Sequence, residues 1–103
     1  MQQQSDPAPL WDEGISSFLY GEYVKRDCAL TLDDLLAYSS EHAVRIGDIL
    51  ETLFLMAIYG SWRYTDATGA EQALDEDALN ALYAKGRLGR EDLAPFSGSW
   101  QPK

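Results

Sequence analysis

The sequence predicts a small, mostly α-helical domain with four to five helices and one β-hairpin. Three observations lead there. Apolar residues recur at helical spacing in several separate stretches. One short stretch, Ser61-Trp-Arg-Tyr-Thr65, alternates instead and runs into the turn residues Asp66-Ala-Thr-Gly69. Finally, 103 residues of which 46% are hydrophobic suit a single ordinary globular core. Residues 30–75 hold a helix pair and the hairpin, and the flanking segments read as packing support.

Residues 1–10 are polar and Gln-rich with Pro7 and Pro9, the composition of a flexible N-terminal arm. Over 11–26, Ile15, Phe18, Leu19 and Tyr23 share one helical face, and Asp12 can cap its start. The aromatic residues of this segment read as core before they read as a docking stripe. Residues 27–30 connect. Thr31 then precedes a short helix to Tyr38, with Asp33 and Asp34 in a first turn that favours negative charge. Ser39 and Ser40 break the pattern, and Ser40 can cap a longer helix over 41–59.

That longer helix has a broad apolar face including Val44, Ile46, Ile49, Leu50, Leu53 and Phe54. Glu41, His42, Arg45, Asp48, Glu51 and Thr52 are expected to be exposed, and Gly60 stops the helix. Leu55 and Met56 fall off the strict face, so the helix is either covered on two sides or offers an interface. The hairpin's return strand is placed at 70–74 against the weak strand propensity of Ala, Glu and Gln. A helix over 75–86 opens on acids and packs Leu79, Leu82 and Tyr83. A short turn or helix at 87–94 packs Leu88 and Leu93, and Pro95 ends it. Residues 97–103 read as a C-terminal tail, with Trp100 either folded back or docked elsewhere.

Leu35 is followed eleven residues later by Ile46, then by Leu50 and Leu53, then by Gly60 and the hairpin. This order, over roughly residues 15–75, resembles the winged helix-turn-helix superfamily by core spacing, without a chemical motif. The resemblance implies a single winged-helix-like domain over 11–96, with a recognition helix at 40–52 and a wing at 63–71. In DNA-binding members that helix enters the major groove. Other members serve as protein-interaction modules.

Charge separates those two uses. The chain carries 17 acids against eight Lys and Arg, a net −9, and between Asp27 and Gly60 there are six acids and one basic residue. Neutralising phosphates takes Lys and Arg, so this balance argues against direct nucleic-acid binding. It suits a protein partner with a basic surface, including a surface that normally holds nucleic acid. The expected role is a non-catalytic protein–protein interaction module, a small acidic inhibitor or adaptor. Phage-encoded anti-CRISPR and anti-restriction proteins share this size and charge, an analogy of class only. Its partner-binding acids would be Asp33, Asp34, Glu41, Asp48 and Glu51, with Asp75, Glu76 and Asp77 as a second patch.

Two alternatives differ in class. A winged-helix transcriptional regulator, working as a homodimer, needs Lys25, Arg26, Arg45 and Arg63 to converge. An accessory subunit of an enzyme complex would use the apolar positions around Leu55 and Met56, and if the acids are only a solvated face, binding would run through Tyr20, Leu55 or Trp100 instead. Catalysis finds no support. His42 is the single histidine and Cys28 the single cysteine, their spacing matches no zinc site, and no phosphate-cradling or nucleophile motif occurs. No metal or cofactor is expected, and Cys28 reads as a small buried residue at a helix junction. The longest apolar run, 53–59, is far short of the ~20 residues of a membrane span. The N-terminus has no signal-peptide pattern, which points to the cytoplasm.

Overall fold

The computed structural model describes residues 11–85 and 88–103, so the expected arm at 1–10 lies outside the described residues. The chain order is α1 (Glu13–Arg26), β1 (Leu30–Thr31), α2 (Leu32–His42), α3 (Ile46–Tyr59), β2 (Trp62–Thr65), β3 (Glu71–Gln72), α4 (Glu76–Lys85) and α5 (Arg90–Leu93). A 3-10 turn at Ala94–Phe96 leads into β4 (Ser99–Pro102). Among the described residues the fold is mostly helical, with five helices against a four-stranded antiparallel sheet in the order β1-β4-β2-β3. Helix, turn, helix and hairpin follow one another as expected. No helix among the described residues is long and apolar enough to cross a membrane.

Helix α3 is the axis of the core. Leu53 and Phe54 are fully buried, and Leu55 and Met56 are 8% and 3% exposed, because α1, α2, α4 and β2 pack around the helix. Cover from several directions explains why the apolar residues of α3 exceed one face. The interface expected of Leu55 and Met56 is therefore closed within the chain.

The first two helices start as their caps dictate. Asp12 accepts the Ile15 N–H at 2.9 Å, and Thr31 forms a capping box with Asp34. The break expected at Ser39–Ser40 does not occur. Helix α2 continues to His42 and ends at Ala43, which adopts a left-handed φ of 55°. The Ser39 hydroxyl donates to the Val44 carbonyl, so it fastens the turn from inside the helix. Glu41 and His42 thus belong to α2, and the expected recognition helix at 40–52 is divided between two helices. Thr52, expected exposed, is buried, its hydroxyl donating to the Asp48 carbonyl at 2.9 Å. Cys28, expected buried, is exposed.

The largest departure is at the C-terminus. Residues 97–103 are not a tail, since β4 lies between β1 and β2. Trp100 pairs with Leu30 on one side and Tyr64 on the other, and its side chain is fully buried. It is a core residue and offers no outward interface. The hairpin forms, but its return strand is only Glu71–Gln72 and not the expected 70–74.

Candidate functional site

Helix α3 starts without a side-chain cap. Arg45 holds the N-cap position and its side chain makes no capping bond, so it projects from the helix start with Asp48 one turn on and Glu51 next. Helix α4 lies antiparallel along α3. Tyr59 at the end of α3 donates to Glu76 at the start of α4 at 2.6 Å, and Tyr83 near the end of α4 shares a cleft with Glu51 near the start of α3.

Between the start of α3 and the end of α4 opens a cleft of about 650 Å³. Ile46, Leu82 and Leu88 supply apolar walls, and Arg45, Asp48, Glu51 and Tyr83 supply the polar ones. Partial burial, followed by the Glu51 carboxylate, pushes the Tyr83 hydroxyl up to about 12. Tyr83 is nevertheless 51% exposed, so its ring edges the cleft and does not pack in the core face assigned from sequence. Arg45 makes no ion pair among the described residues. The cleft therefore joins two carboxylates, one guanidinium, a phenol and an apolar floor. Such a set has the chemistry to hold a cationic, partly apolar group.

The predicted acids do not form one surface. Asp33 and Glu41 are exposed on α2, Asp48 and Glu51 line the cleft, and Asp75, Glu76 and Asp77 stand at the far end of α4. Several have structural partners. Asp34 holds the Arg26 guanidinium at 2.7 Å and bonds Thr31. Partial burial raises its pKa, but the Thr31 bonds and the Arg26 charge outweigh that and leave it below the usual carboxylate value. Asp75 caps α4 by accepting the Ala78 N–H at 2.9 Å. Among the described residues no group of three His, Cys, Asp or Glu side chains is placed to hold a metal ion.

The predicted cations are mostly neutralised. Lys25 pairs with Glu22 at 3.8 Å, Arg26 with Asp34, and Arg63 of β2 with Glu71 at 3.6 Å. Arg45 alone of that set lines the cleft, beside two acids. Tyr20 is exposed on α1, apart from the buried Leu55, Met56 and Trp100 with which it was grouped. Ile46, Leu82, Tyr83 and Leu88 line the cleft although the sequence assigned them to packing. Their place there arises from α4 lying against the start of α3, which no local pattern encodes. Compared with family models, curated proteins and solved structures, the chain matches none.

Proposed function

We propose that this chain is a non-catalytic, winged-helix-like protein-interaction domain whose cleft at the start of α3 receives basic side chains of a protein partner. The observation that carries this reading is the pairing of Asp48 and Glu51 above an apolar floor beside Tyr83. A lysine or arginine entering there meets carboxylates with its head and apolar walls with its stem. The winged-helix-like description rests on element order and on Leu35, Leu50 and Leu53, all fully buried where the two helices lock. The regulator alternative is disfavoured because Lys25, Arg26 and Arg63 already hold carboxylates. A small acidic inhibitor or adaptor acting in the cytoplasm on a nucleic-acid-handling partner fits this charge best.

Affinity capture from the native host, followed by binding measurements on the purified pair, tests the proposal. Binding is expected to fall steeply with salt and to be competed by duplex DNA. Replacing both cleft acids, Asp48→Asn with Glu51→Gln, is expected to weaken it about tenfold or more. Salt-insensitive binding, or a double variant that binds like the unaltered chain, would overturn it.

A further inference from the structure

On the opposite side of the turn into α3 lies a second depression, of about 310 Å³ and different in kind. Leu19, Tyr38 and Ile49 form its buried floor, and the half-buried Ile15, Phe18 and Val44 also line it. Phe18 stands edge-on to Tyr38 and to His42, with ring centroids 5.0 and 4.8 Å apart. The volume is near the bottom of the roughly 300–1,000 Å³ typical of ligand pockets, room for a few anchoring side chains.

Acids outnumber free cations around this groove: Arg26, which donates to the Tyr38 hydroxyl at 3.0 Å, is itself paired with Asp34 at 2.7 Å. Asp12 lines it, Glu13 follows Asp12 on the exposed start of α1, and Glu41 precedes His42 on the exposed end of α2. No Lys or Arg is among its lining residues, and Arg45, next to Val44 in sequence, lines the charged cleft instead. An apolar trough with an acidic surround is complementary to a helix that is apolar on one face and basic beside it.

We infer that this groove docks an amphipathic helix of the partner, anchored by apolar side chains at helical spacing and flanked by Lys and Arg. The inference deepens the proposed function and rests on it for the basic character of the partner. Burial of the anchors supplies the attraction, and the acidic surround selects among amphipathic helices by sign of charge. A second copy of this chain is the wrong occupant, since it brings the same net charge of −9 to an acidic surround.

His42 gives the test a clean reporter, because it is the single histidine of the chain and touches the groove. Its imidazole carbon-bound proton signals would be followed at fixed pH while three synthetic peptides are added. The first has Leu at helical spacing and Lys elsewhere, the second has Glu in place of Lys, and the third scrambles the first. The Lys amphipathic peptide is expected to shift the signals saturably, and the other two to bind about tenfold more weakly or worse. Ile15→Gln or Val44→Gln is expected to weaken the first peptide by a similar factor with the circular dichroism spectrum unchanged. If either variant unfolds, the three-peptide comparison on the unaltered chain decides.

Equal response to all three peptides, or none, would overturn the inference. So would His42 shifts that appear on raising protein concentration alone, which would mean a second copy, or on deleting residues 2–10, which would mean the chain's own N-terminal segment. The Asp48→Asn, Glu51→Gln variant is expected to keep the peptide response. Loss of salt dependence with the native partner would therefore sink the cleft and leave the groove standing, and loss of peptide selectivity the reverse.

Discussion

Strand β2 has two neighbours, and they are held to it by different physics. On one edge β4 pairs with it over four residues, pairs with β1 on its own far edge, and buries Trp100 completely. The connection into β4 is pinned by the Tyr64 hydroxyl, which donates to the Pro95 carbonyl at 3.2 Å and accepts the Gly98 N–H at 3.0 Å. On the other edge β3 is two exposed residues. The turn before it hangs on one exposed side chain, Asp66, which accepts from the Thr68 N–H at 2.9 Å, the Thr68 hydroxyl at 2.6 Å and the Ala70 N–H at 3.1 Å. One edge is held by burial and the other by local hydrogen bonds. Of the hairpin, β2 brings Trp62 and Tyr64 into the core while its return strand adds nothing buried, and the last strand, β4, completes the sheet with Trp100.

Removing Trp100 is the strongest way to break this contrast. Its ring lies 4.6 Å from Tyr64 and 5.7 Å from Phe54, centroid to centroid. Trp100→Ala is expected to cost about 3–5 kcal/mol, the range for deleting a large buried aromatic side chain. Set against the ~5–15 kcal/mol that hold a typical domain, this is enough to unfold a weak one. Replacing Glu71 and Gln72 together by Ala is expected to change stability by less than about 1 kcal/mol. Urea unfolding of both variants measures the difference, and equal losses would show that the two edges of β2 are not as unlike as their burial implies.

Two glycines sharpen it further. A Cβ on Gly98 would sit 2.7 Å from the Asp66 Cα and 2.8 Å from the Asp66 carbonyl carbon, and backbone cannot swing aside as a side chain can. Gly98→Ala must therefore part β4 from β2, at about 1–3 kcal/mol. Gly69 has open space around it but a φ of 92°. Gly69→Ala meets only the local strain of a positive φ, about 1–2 kcal/mol, relieved if the exposed turn rearranges. Thermal unfolding of the two variants should rank Gly98→Ala as the more damaging. The reverse order would mean that the turn is more rigidly coupled to the sheet than β3's two residues suggest.

The same contrast decides what was legible in the sequence. Local signals were readable: the Thr31 cap, the apolar face of α3, and the alternation of Trp62 and Tyr64 with the Asp66–Gly69 turn after it. Interactions that join distant segments were not. β4 is four residues with Ser and Gly before it and Pro102 inside it, a composition that reads as a tail. Only its partners Leu30 and Tyr64 make it a strand. The end of α2 was hidden for another reason, since its left-handed residue is Ala43, where a Gly or Asn would have announced the turn. Asp48 and Glu51 stood among the acids singled out in the sequence, but the Tyr83 and apolar walls that enclose them in a cleft come from the packing of α4 on α3. The cations were likewise visible, while their engagement by Glu22, Asp34 and Glu71 was not.

The smallest expected effect concerns the proton on Asp66. Bonds from Thr68, then from Gln72 and Ala70, hold its carboxyl at about 2 against an ordinary value of 3.8. A folded-state value below the unfolded one means that the bonds stabilise the hairpin fully above about pH 4, and that this contribution fades as pH falls towards 2. Other carboxylates, Asp34 and Asp92 among them, are also held below their ordinary value. The informative quantity is therefore the gap in melting temperature between the unaltered chain and Asp66→Asn, followed from pH 6 down to about 2. The gap should be widest at the neutral end and narrow on acidification, because Asn mimics the protonated acid and lacks only the charge. A gap that ignores pH would mean that Asp66 orders the turn by shape alone. Because Asp66 is at the surface and serves only the weak edge of β2, the narrowing should appear without any change in the unfolding cooperativity set by Trp100 on the strong one.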